Sequence, residues 1–136
     1  MSNVKVPFRK PSGVQFVDTA RELVVHALRY TRKFPKSMML ILTKDIVDES
    51  RTIYKEVIKA NSVKPQSKGD VAFRQKHFYE ALGALNALDA LLTIAVDAVT
   101  ASAISEYGWT HWGELILNER KLIKGIISSD RKLTFG

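Results

Sequence analysis

Cysteine is absent from all 136 residues, which excludes a disulfide scaffold, a thiolate metal site and a cysteine nucleophile together. The absence fits a reducing compartment. Residues 1–15 contain Lys5, Pro7, Arg9, Lys10 and Pro11 but no apolar core of signal-peptide length, so no secretory signal is expected and the expected location is cytoplasmic. Sustained strand alternation and internal repeats are both missing. So are a P-loop, a paired-glycine phosphate loop and a G-x-S-x-G elbow. A di-iron bundle needs two Glu-x-x-His pairs, yet Glu22 and His26 are four apart and His77 to Glu80 runs in reverse order. His26, His77 and His111 are too scattered along the chain for a convincing zinc site. No metal and no cofactor is expected, and the chain reads as a non-enzyme.

What is present is ordinary in amount and unusual in placement. Hydrophobic residues make up 46% and charged residues 26%, values of a folded chain, and the length suits one domain with one core. The net charge of +7 is polarised: residues 1–37 hold eight basic and two acidic residues, whereas 79–104 hold no basic and three acidic ones. Such asymmetry points to a polyanionic partner, with nucleic acid foremost.

Pro7, Pro11 and Gly13 among basic residues make 1–15 a flexible basic arm. From there Phe16, Ala20, Leu23, Val24, Ala27, Leu28 and Thr31 recur at helical spacing, predicting a first helix over about 17–33. Phe34-Pro35-Lys36-Ser37 breaks it, with Ser37 the expected cap of the next helix. That second helix, over about 38–60, buries Leu42, Ile46, Ile53, Val57 and Tyr54. After a loop at 61–70 a third helix is expected over about 71–101 with Asp70 as its N-cap, and Ser105 with Glu106 starts a fourth. Its inward set is Trp109, Trp112, Leu115, Ile116, Leu122, Ile123 and Ile126. The fold class expected is all-α, an up-down-up-down four-helix bundle over 16–128 followed by a C-terminal tail, 129–136.

The third helix departs from a plain bundle. No basic residue lies between Ala81 and Ala103, and Leu82, Leu85, Leu88, Leu91, Leu92, Ile94, Val96 and Val99 point in every direction of the wheel. Asn86, Asp89 and Asp97 inside the stretch argue against a membrane span. Self-association is the preferred reading, with Leu85, Leu88, Leu91, Leu92, Trp109 and Trp112 as the expected homo-oligomer interface. The alternative is an alanine-rich core helix with little apolar surface. Met38-Met39-Leu40-Ile41-Leu42 is a second anomaly: at least two of these must point away from the bundle axis, beneath the arm, a neighbouring subunit or a docked partner.

A helix ending in Phe34-Pro35-Lys36-Ser37, a second ending in Ala60-Asn61-Ser62, a leucine-rich third and a turn through Ile104-Ser105-Glu106 succeed one another in fixed order. Together they resemble the accessory variability determinant of diversity-generating retroelements and the related four-helix proteins encoded in intervening sequences of large-subunit ribosomal RNA genes. The likeness covers roughly 16–128. It implies a bundle assembling into a fivefold barrel whose basic surface binds nucleic acid and the retroelement's reverse transcriptase. Met38-Met39-Leu40 departs from the polar residues usual after this motif, so partner contacts there differ. The intervening-sequence relatives share the fold without a settled biochemical role, and the motifs do not separate the branches.

Arg21, Arg29, Arg32, Lys33 and Lys36 fall on the outward half of the first helix, with Arg9 and Lys10 on the arm before it. Such a group neutralises phosphates of RNA or DNA with weak sequence specificity. Few aromatics lie among them, so a base-stacking platform is not expected. Arg21-x-x-x-x-His26 is also the spacing of some helical ribonucleases resembling the HEPN family, although residues five apart do not share one helix face squarely.

Overall fold

The computed structural model describes residues 14–99 and 103–135. Arg9, Lys10 and the rest of the basic arm up to residue 13 lie outside the described residues. Among the described residues there are four α-helices: α1 (Gln15–Thr31), α2 (Lys44–Asn61), α3 (Lys68–Ala98) and α4 (Glu106–Arg131). A 3-10 turn, Lys36–Met38, and a π turn, Met39–Thr43, lead into α2. Among the described residues there is no strand, so the fold is all-α. Each helix packs against its neighbours in sequence, and α1 closes the set against α4, the arrangement of a four-helix bundle.

Helix termini obey local chemistry, with three departures from expectation. α3 is capped by Ser67, whose hydroxyl accepts the Asp70 N–H at 3.1 Å, while the Asp70 carboxylate accepts the Gln66 N–H at 3.1 Å. Asp70 is therefore the third residue of the helix and answers the cap from inside, a near-reciprocal capping box, and α3 begins earlier than 71. Ser37 does not cap; it lies within the 3-10 turn, whose Met38 N–H donates to the Pro35 carbonyl at 2.9 Å. Proline supplies the fixed φ there, and no side-chain cap is used. At the other end α4 runs to Arg131, so the expected tail is helical through its first three residues and Asp130 is buried. Ser105 caps α4 as expected, accepting the Gly108 N–H at 3.2 Å.

The core combines Phe16, Leu23, Leu42, Ile46, Ile53, Val57, Phe78, Trp112, Ile116 and Ile123 with small side chains that let the helices approach. Leu85, Leu88, Leu92 and Trp112 are all buried inside this single chain. The three leucines lie on α3, which packs on α2 and α4 of the same bundle, and Trp112 packs on His26 and Tyr30 of α1, so these four are corrected out of the interface. Leu91 and Trp109 are half-buried at the core's edge. The outward face of α3 carries Gly83, Asn86, Asp89, Ala90, Thr93 and Asp97, with only Ile94 and Val96 as large exposed aliphatics in its second half. Outward alanine and glycine count as apolar in a sequence pattern but present little apolar area, which is how α3 reads as apolar all round while burying one side. Among the described helices α3 alone is long and apolar enough to cross a membrane, by length and composition only, a property shared by core helices of soluble proteins.

Candidate nucleic-acid interface

α1 puts its apolar stripe into the core because Phe16, Ala20, Leu23 and Ala27 repeat at three- and four-residue spacing, and this turns its cations outward. Arg29, Arg32, Lys33 and Lys36 are exposed and Arg21 is half-buried. The Lys33 ammonium sits 5.2 Å from the Tyr30 ring centroid, a cation–π contact that steadies one of these charges. Among the described residues none of these five is in an ion pair. By contrast α2 carries Lys44–Asp48 and Lys59–Glu56 pairs, so its four basic residues are partly neutralised where they stand.

Two recesses flank α1, and Arg29 stands on the ridge between them. The first, about 730 Å³, lies against the start of α2 with Val25, Leu28, Phe34, Met39 and Val47 in its walls and Arg29, Arg32 and Lys36 at its edge. Its surroundings are markedly apolar: Leu40 is 82% and Ile41 70% exposed, with Met39 and Leu28 about half exposed. The expectation that at least two residues of Met38–Leu42 point away from the axis thus holds, since only Leu42 is buried.

The second recess, about 260 Å³ between α1 and α4, is polar and contains Arg21, Glu22, His26 and Arg29 from α1 with Tyr107 and His111 from α4. Close approach of the two helices builds it. Gly108 faces Tyr30 so tightly that a Cβ there would lie 2.7 Å from the ring and 2.5 Å from the Ile104 side chain, so only glycine fits. His26, 5% exposed, donates its Nε2–H to the Gly108 carbonyl at 2.8 Å and so locks the pair together. Burial holds the His26 pKa below its ordinary value against the raising effect of that hydrogen bond, with His111 and Arg29 lowering it further. The ring is therefore a neutral Nε2–H tautomer with its lone pair on Nδ1. His111 stands 5.2 Å from it and stacks on Tyr107 at 5.2 Å and 11°.

Arg21 and His26 therefore reach the same recess despite their awkward spacing, because α4 supplies the opposite wall. Two of the three histidines come together as well, whereas His77 is held by Glu56 at 2.6 Å between α2 and α3. Among the described residues no group of three or more His, Asp or Glu lies close enough to hold a metal. Sequence reasoning missed Tyr107 and His111 as neighbours of the basic helix; the Ser105 cap with Gly108 three residues on was the only local hint that α4 enters so near α1.

Fold and site together define a small basic four-helix protein with five cations on α1 and the turn after it, none in an ion pair among the described residues, and a recess on either side of the helix. Comparison with protein-family models, with curated proteins and with solved structures returns no match.

Proposed function

We propose that this protein is a non-catalytic, cytoplasmic accessory factor that binds the backbone of RNA or DNA through α1 and serves a reverse transcriptase in retroelement mutagenic retrohoming. The single observation carrying the nucleic-acid part is the series Arg21, Arg29, Arg32, Lys33 and Lys36, two on α1 and three in the turn that follows it, without ion-pair partners among the described residues. The reverse-transcriptase part rests on the likeness of the ordered motifs alone. Cations that fold into no internal pair keep their whole charge for an external anion, and release of condensed counterions then drives binding.

Binding should weaken steeply with salt, with a log–log slope of about 0.7–0.9 per phosphate neutralised. Arg29→Glu with Arg32→Glu should lower both affinity and slope for every sequence, because such contacts position rather than specify. Lys55→Glu with Lys124→Glu changes net charge equally on exposed positions of α2 and α4, away from both recesses. Equal loss in the two double variants, read by fluorescence anisotropy, would reduce the effect to net charge and remove α1 as the site.

Self-association is the second part of the proposal, and the exposed run Met39-Leu40-Ile41 beside Leu28 supports it. A patch of this kind on a soluble chain is ordinarily covered, and a second copy of the bundle is the occupant proposed, up to the fivefold ring implied by the resemblance. Sedimentation should give a mass several times 15.3 kDa, and Leu40→Glu with Ile41→Glu should lower it without unfolding the exposed turn that carries them. A ring repeats the basic face, so the same variant should also weaken nucleic-acid binding through lost multivalency. A monomeric wild type at micromolar concentration would refute this part.

A further inference from the structure

We infer that the polar recess between α1 and α4 is a seat for a single phosphate group, with Arg21 and Arg29 on one wall and His111 on the other. The inference rests on the nucleic-acid reading for the identity of the ligand, a backbone phosphodiester, but not for the chemistry of the seat. Four features carry it. The recess, about 260 Å³ and predominantly polar, has room for a phosphate group. Neither guanidinium is spent on an ion pair among the described residues, and a guanidinium donates paired N–H groups in the geometry phosphate oxygens accept. The His111 ring is fixed in orientation by its 11° stack on Tyr107, and its Nδ1–H donates to the Glu114 carboxylate at 3.4 Å, so Nε2 is the ring nitrogen left for a phosphate, to which it donates when the ring carries a second proton. His26 is the fourth: its Nε2–H is used by the Gly108 carbonyl and ties the α4 wall to the α1 wall, so the distance between the two sets of donors is set before any ligand arrives. His26 is a positioning residue here. Glu22 in the lining and Glu114 beside His111 oppose an anion, against the two guanidiniums.

The test uses the full-length protein with two probes, inorganic phosphate and a short single-stranded oligonucleotide, and reads the His111 imidazole by NMR together with oligonucleotide affinity. Both probes should shift the His111 resonances saturably, and phosphate should compete with the oligonucleotide. Arg21→Ala and His111→Phe, the latter keeping an aromatic ring against Tyr107, should each weaken oligonucleotide binding about tenfold, the size of a lost charge-assisted hydrogen bond. Combining them should lower the salt slope by about 0.7, one phosphate and no more. Glu22→Gln should tighten binding. Lys55→Ala, remote from the recess, should do none of this, and Arg29→Ala, on an exposed side chain, repeats the loss where folding is not in question. If the oligonucleotide binds with unchanged affinity and slope in Arg21→Ala and His111→Phe while Arg29→Glu with Arg32→Glu still weakens it, the seat is refuted while the nucleic-acid reading stands. Phosphate shifting His111 while no oligonucleotide binds would uphold the seat for a small phosphate ligand and overturn the nucleic-acid reading. Silence of His111 to both probes refutes the seat.

Discussion

Replacing Glu119 with leucine is expected to stabilise the protein and to abolish a fall in stability of the native chain as pH rises from about 4.5 to about 9. Glu119 lies in the middle of α4 with no exposed surface, and neither carboxylate oxygen has a hydrogen-bond partner. Burial alone pushes its pKa from the ordinary 4.5 up to about 9. The folded state therefore keeps a proton that the unfolded state releases once pH exceeds 4.5. Stability is unaffected below that pH and drops by up to about 1.4 kcal/mol per unit from there to about pH 9, amounting to about 3 kcal/mol at pH 7. Glu119→Gln should remove the slope but keep an unsatisfied polar group in the core, whereas Glu119→Leu should remove both penalties. Urea unfolding at several pH values separates the three proteins. A wild type whose stability is flat between pH 5 and 9 would show that the carboxyl is solvated or paired after all.

The second large effect is expected where α3 begins and α4 ends. Arg74 donates Nε–H to one Asp130 oxygen at 2.7 Å and Nη2–H to the other at 3.4 Å, while Nη1 donates to the Ala60 and Val63 carbonyls at 3.3 and 2.9 Å. One guanidinium thus ties α3 to α4, the end of α2 and the loop after it, with both charged side chains almost fully buried. Removing one partner leaves an uncompensated charge in the core, so Arg74→Ala or Asp130→Ala should each cost about 3–5 kcal/mol. The double variant should fall well short of the sum, with a coupling energy of about 2 kcal/mol in a double-mutant cycle. Strict additivity of the two losses would mean the pair contributes nothing as a pair.

These two predictions concern residues to which sequence reasoning assigned no role, and the cause is the same for both. Arg74 and Asp130 are 56 residues apart, and no periodicity links positions on helices that meet only after folding. Glu119 occupies an inward position between Ile116 and Ile123, but a lone carboxylate on an apolar stripe looks like a boundary residue until its surroundings are known. The interface expectation erred for a related reason. Leu85, Leu88 and Leu92 were legible as apolar, but apolarity does not say which chain covers them, and α2 and α4 of the same chain do.

Local and periodic features were determined by the sequence: four helices, the break at Phe34-Pro35, the Ser105 cap and the outward cations of α1 and the turn after it. Each depends on residues within a few positions of one another, where backbone sterics and helical repeat leave few alternatives. Tertiary structure alone decided which apolar residues remained exposed, leaving Leu40 and Ile41 in the open and the α3 leucines inside. It alone brought Arg21, Arg29, His26 and His111 around one recess, through the close passage of α4 at Gly108. Those outcomes depend on how helices dock against one another, a long-range packing choice that no spacing within a single helix encodes.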